Sequence, residues 1–112
     1  MSRTAILISC SEEEATKIRT RAEYDFRGVS AYVLNIVLRA VELDEKLLGR
    51  FHKLSALPTR TRVLYRRTAV LVRCSDEQAS RIRAAAGRRS ATISGFVLHC
   101  LNRNWDIIAG KM

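Results

Sequence analysis

Displacing the chain against itself by 64 residues lays Thr4–Ala40 over Thr68–Asn104 without a gap, with 14 identities in 37 pairs. Ile6/Val70, Ile8/Val72, Glu12/Asp76, Thr16/Ser80, Lys17/Arg81, Val29/Ile93 and Tyr32/Phe96 add conservative matches. This constrains the fold more than any other feature, because both halves must then build the same small unit. A solenoid needs about three repeats to close its core. Two copies point instead to the duplication of a unit that pairs with itself.

Each unit parses in the same way. TAILISC and TAVLVRC are short β-branched runs and predict strands. Ser11 and Ser75 follow as N-caps, with Glu14 and Gln78 three residues on, the spacing of a capping box. Glu12, Glu13, Asp76 and Glu77 add negative charge where a helix N-terminus favours it. Ala15, Ile18 and Ala22, and equally Ala79, Ile82 and Ala86, recur at the spacing of one helix face. Gly87 is read as the stop of the second unit's first helix.

A second helix starts near Gly28 and near Thr92. Val29, Tyr32, Val33, Ile36, Val37 and Ala40 mark its apolar face in unit one, extended by Leu43, Leu47 and Leu48; Ile93, Phe96, Val97, Cys100 and Leu101 mark it in unit two. Trp105 aligns with Val41 and prolongs that face.

One strand and two helices leave an unpaired strand edge and a half-closed core. The expected fold is therefore α+β and mostly helical. Two strand–helix–helix units (βαα–βαα) pair their strands as an antiparallel ribbon over four interlocked helices. The expected division is residues 1–52 as repeat 1, 53–67 as a basic linker with the single proline, Pro58, and 68–112 as repeat 2, the repeats forming one globular pseudo-dimer.

Charge narrows the function. Residues 1–56 hold 9 basic and 8 acidic side chains, whereas residues 57–112 hold 11 basic and 3 acidic. A net charge of +9 with such clustering is the footprint of a polyanion binder. No apolar run is long enough to span a bilayer. The first residues turn acidic too soon for a signal peptide, which predicts a cytoplasmic location. Cys10, Cys74 and Cys100 lack metal-ligand spacing and read as buried thiols in a reducing compartment; strand pairing about a twofold axis would bring Cys10 and Cys74 near each other. No nucleophile–base constellation and no Gly-rich phosphate loop recurs, so no enzyme, cofactor or metal is expected.

The segments ILISCSEEEATKI…GVSAYVLNIVLRA and VLVRCSDEQASRI…TISGFVLHCLNR resemble the ribbon-helix-helix family, which includes the Arc and methionine repressors. VSAYVL and ISGFVL look most like members that act as antitoxins of acetyltransferase toxins. The resemblance implies a two-stranded ribbon in the DNA major groove, with alternate strand residues at base edges. It also implies that the residue before the helix cap is buried, so the cysteine side of each strand faces inward. The face left for DNA is Arg3, Ala5, Leu7 and Ser9 with Arg67, Ala69, Leu71 and Arg73.

Ala and Leu fill four of these eight positions, where the family usually carries polar residues. Leu7 and Leu71 suit thymine methyls, and Arg73 suits a guanine, whereas Ser9 at the equivalent place has no such fork. The alternative is a ribbon that reads little and binds through phosphates. The resemblance places Val29, Ser30, Ile93 and Ser94 at helix N-termini that offer N–H groups to phosphate. Arg27, Arg88 and Arg89 lie just upstream. For Ser30 and Ser94 helix-start chemistry is the competing reading. Arg60, Arg62, Arg66 and Arg67 with Tyr65 form either an arm along DNA or a solvated connector.

Three functions follow as expectations. The first is a DNA-binding transcriptional repressor. The second is an antitoxin that also autoregulates, for which the amphipathic stretch Glu42–Lys53 is the candidate toxin-binding segment. The third is a protein-interaction module, favoured if Leu7 and Leu71 form an exposed apolar patch. The partners to consider are double-stranded DNA, a second copy of the chain and a toxin protein.

Overall fold

Local signals start and stop the first helix of each half in the computed structural model, which describes residues 3–48, 55–57 and 67–108, with backbone alone at residue 67 and residues 106–108. The order is β1 (Arg3–Ser11), α1 (Glu12–Tyr24), α2 (Val29–Leu48), β2 (Arg67–Ser75), α3 (Asp76–Arg88) and α4 (Ile93–Ile108). The fold is α+β and mostly helical, with one two-stranded antiparallel sheet. β2 begins at Arg67, inside the stretch expected as linker. Pro58, Arg60, Arg62, Tyr65 and Arg66 lie outside the described residues.

Both strands end on working capping boxes. Ser11 Oγ accepts from the Glu14 N–H at 3.1 Å, and Glu14 Oε1 accepts from the Ser11 N–H at 3.0 Å. Ser75 and Gln78 repeat the exchange at 3.1 and 2.9 Å. Each satisfies two backbone donors that a helix start would otherwise strand.

The first helix of each half closes on a left-handed residue. Phe26 has φ 56° and Ser90 φ 54°. The N–H of Arg27 reaches the Ala22 carbonyl at 2.9 Å and that of Ala91 reaches Ala86 at 2.9 Å, while Phe26 and Ser90 bond back to Glu23 and Gly87. This is a Schellman ending. Gly87 is therefore not the stop: the helix runs through it, and the left-handed position falls three residues later, on Ser90.

In the ribbon Leu7 stands opposite Leu71, with Ala5 opposite Arg73 and Ser9 opposite Ala69. The midpoint between the 64-residue equivalents thus falls at the leucine pair. Ile6, Ile8 and Cys10 and their counterparts Val70, Val72 and Cys74 face inward and are buried. Cys10 pairs with Thr68 and Cys74 with Thr4. The two cysteines are therefore six strand positions apart, roughly 20 Å at the usual rise, and the expectation that they lie close is corrected. Each sits three residues from the midpoint, on opposite sides of it.

Beneath the ribbon lies a single core. Ala15, Ile18 and Ala22 of α1 and Ala79, Ile82, Ala85 and Ala86 of α3 are buried in it. Val33, Val37 and Val41 of α2 meet Val97, Leu98 and Leu101 of α4 in the same cluster. Trp105 is buried and donates its indole N–H to Tyr32 Oη at 2.7 Å, with Lys17 Nζ 4.8 Å from the ring centroid. The radius of gyration, 13.9 Å, is close to the ~13 Å of a globular chain of this length, so the halves share one body. Leu43 and Leu48, expected to extend the apolar face of α2, are not part of the core: both are exposed. No helix among the described residues is long and apolar enough to cross a membrane.

Candidate nucleic-acid interface

A two-stranded ribbon has two free edges and two faces, and the side chains already account for one face. Strand alternation leaves Arg3, Ala5, Leu7, Ser9, Ala69, Leu71 and Arg73 exposed on the other. Leu7 is 64% exposed and Leu71 44%, a paired apolar centre. Arg3 stands toward one end and Arg73 beside Ala5. The side chain of Arg67, at the far end opposite Ser11, is outside the described residues.

The edges are closed by the second helices. The Ser9 N–H donates to Ser94 Oγ at 2.8 Å, and the Arg73 N–H donates to Ser30 Oγ at 2.8 Å. Residues 9 and 73, like 30 and 94, are 64-residue equivalents. Each half's strand is thus braced by the other half's second helix. An exposed edge N–H invites pairing with another strand, and a serine hydroxyl removes that liability. The two serines consequently have a definite structural task, neither helix-start chemistry nor phosphate contact alone. Their hydroxyl protons remain donors for a further acceptor.

The same brace sets the starts of α2 and α4 beside the ribbon. Neither has an acidic residue in its first turn, whereas α1 carries Glu12, Glu13 and Glu14 and α3 carries Asp76 and Glu77. The positive ends of α1 and α3 are therefore neutralised by the chain itself, and those of α2 and α4 are not. In α2 the first intrahelical bond runs from Tyr32 to the Gly28 carbonyl at 2.9 Å, leaving the Val29, Ser30 and Ala31 amides without an intrahelical acceptor. In α4 the Gly95 amide is taken by Thr92 Oγ1 at 3.0 Å, which leaves the Ile93 and Ser94 amides.

The arginines upstream of these helices divide. Arg27 is exposed next to Gly28. Arg89 is turned inward: its guanidinium holds both carboxylate oxygens of Asp44 at 2.9 and 2.6 Å and donates to the Ser55 carbonyl at 3.0 Å. It is removed from the expected phosphate contacts because a buried carboxylate on α2 claims its whole fork. Arg88 is half-buried, with Nε and Nη2 inaccessible and without a hydrogen-bond partner among the described residues. Arg66 lies outside the described residues.

Sequence reasoning missed Asp44, although a signal was present. Val33, Val37, Val41 and Asp44 step by 4, 4 and 3 along one buried stripe, so a carboxylate occurs where the apolar pattern asks for a hydrophobe. Such an acid needs a cation from another element. The apolar stripe also gives no sign of a task for the Tyr32 hydroxyl, which is the acceptor for Trp105, and burial holds its pKa above the ordinary value. Among the described residues no group of three or more His, Cys, Asp or Glu is placed to hold a metal ion. Comparison with family models, curated proteins and solved structures finds no match for this chain.

Proposed function

We propose that the chain is a DNA-binding transcriptional regulator, a repressor built as a tandem ribbon-helix-helix in which two units in one chain do the work of a dimer. The observation that carries this reading is the outward ribbon face flanked by two acid-free helix starts, both held in register by the Ser30 and Ser94 bonds to the strands. The ribbon enters the major groove, and the α2 and α4 N-termini take backbone phosphates on either side, with Arg27 adding charge at α2. At the centre, Leu7 and Leu71 contact thymine methyls. Arg73 forks onto a guanine on one side, where Ser9 at the equivalent place leaves the other side unread. The preferred site is therefore not a palindrome, which a chain with two different halves permits.

Fluorescence-anisotropy titration across a salt series tests this, using random duplex and the DNA upstream of the protein's own gene. Tighter binding to the upstream DNA, with a log–log salt slope steepening by about 0.9 for each phosphate held, supports the reading. No binding at low salt overturns it. A second reading has its own observation: the exposed Leu7–Leu71 pair is an apolar centre that also fits a protein partner, the case of a protein-interaction module. A ribbon that holds a protein partner through the leucine pair while binding DNA with a flat salt response would select that reading.

A further inference from the structure

Away from the ribbon, α2 and α4 border a groove of about 490 Å³ whose described lining includes no strand residue. Its apolar surface comes from Ile36, Leu43, Leu47, Leu57 and Phe96. Leu43 is 57% exposed there, on a helix whose other face is core. The third wall is residues 55–57, fixed by Arg89: the Leu57 N–H donates to the Arg89 carbonyl at 2.9 Å, and Arg89 Nη1 donates to the Ser55 carbonyl at 3.0 Å.

The charges around this groove are unbalanced. Among the described residues the lining holds one carboxylate, Asp44, and both its oxygens are occupied by Arg89. Arg39 and Arg103 also line it, at equivalent positions 64 residues apart on α2 and α4, both exposed. Neither forms an ion pair with a described residue. His99 of α4 belongs to the same lining. We propose that this groove binds a small amphipathic acid, a carboxylate borne on an apolar body, with Arg39 and Arg103 holding the carboxylate and the leucines and Phe96 holding the body.

The volume falls within the usual range for small-molecule sites. Arg rather than Lys suits a carboxylate, because the planar fork matches its two oxygens. Burial holds the His99 pKa below its ordinary value, reinforced by Arg103 and Arg89, with Asp44 pulling the other way. A carboxylate arriving beside His99 adds a second negative charge and raises that pKa. The site is separate from the ribbon and stands whether or not the chain binds DNA.

The test is a heteronuclear NMR titration of the intact chain with three probes of one apolar body: octanoate, 1-octanol and octylammonium. Octanoate is expected to shift the His99 ring and the Arg39 and Arg103 Nε–Hε signals saturably. It should bind on the order of tenfold tighter than 1-octanol, equivalent to about 1.4 kcal/mol, and octylammonium should bind weakest. The His99 pKa should rise with octanoate bound. A double variant, Arg39→Glu with Arg103→Glu, should invert the order of octanoate and octylammonium; both positions are exposed, and an unchanged Trp105 indole signal reports an intact core. Equal binding of all three probes, shifts confined to the ribbon, or no His99 response up to the solubility of octanoate would each overturn the proposal.

Discussion

In residues 67–108 the turn between the two helices carries Arg89, which reaches across to Asp44 and pins residues 55–57. In residues 3–48 the equivalent position is Asp25, which is exposed, and its neighbours Tyr24 and Phe26 are 81% and 97% exposed. Yet the backbone of the two turns is the same, down to the left-handed residue and the pair of closing bonds. The turn's course is therefore set by the helix ending and the buried alanines, not by the side chains at its tip. Those side chains were free to diverge. One half uses them to clamp the fold, and the other leaves them outward beside the uncapped start of α2.

The largest expected effect follows from that difference. Arg89→Ala leaves Asp44 buried without its cation, a loss of about 3–5 kcal/mol, while Asp25→Ala should stay within about 0.5 kcal/mol. Arg89→Lys should rescue little, because an ammonium cannot replace the two-pronged contact. Urea unfolding of the three variants measures this. Similar small losses at positions 25 and 89 would mean that the clamp does not distinguish the halves.

Next comes the ribbon. On the proposed DNA reading, Arg73→Ala should cost about 1–3 kcal/mol on a preferred site and relax specificity there, whereas Ser9→Ala should change little. The Ser94 bond at residue 9 uses the backbone N–H and survives the substitution. If Arg73→Ala weakens random duplex by the same factor, Arg73 is a phosphate contact and the two sides of the ribbon are equivalent in kind.

The turn offers a smaller and opposite effect. A non-glycine residue at positive φ costs roughly 1–2 kcal/mol, partly offset in glycine by chain entropy. Phe26 packs against nothing that would be lost, so Phe26→Gly should raise stability by about 1 kcal/mol in thermal or urea unfolding. A loss instead would show that the exposed ring has a packing role.

These cases show which parts of the molecule were legible in its sequence. Strand, cap and helix were readable because each rests on neighbours within four residues: Ser11 with Glu14, Ala15 with Ile18 and Ala22. The two ribbon faces were readable because alternation has a period of two, while the family resemblance supplied which of them turns inward. Arg89 was misplaced because its partner lies 45 residues away: the spacing of Asp44 on its stripe calls for a cation, but nothing local says which one. Ser30 and Ser94 stayed ambiguous for a related reason. A serine in the first turn of a helix serves a cap, an anion or a distant strand equally well, and only the packed structure supplies the strand. The Gly87 expectation failed because glycine is common at the left-handed position but not required there.

The smallest effect separates the two helix starts. Thr92 caps α4, whereas Gly28 at the equivalent position offers α2 no side chain, and a Cβ at Gly28 meets nothing within 4 Å. Gly28→Asp therefore supplies both a cap and a negative charge to α2. Stability should rise by about 0.5 kcal/mol. Thr92→Asp exchanges one cap for another and should be nearly neutral for folding. On the proposed reading both substitutions place a carboxylate where a phosphate binds, so both should weaken DNA binding and lower the salt slope by about one. The two properties then move in opposite directions at Gly28, which no purely structural role of that helix start produces. Higher stability with unchanged DNA affinity at Gly28→Asp would remove α2 from the phosphate contacts and leave the ribbon to bind alone.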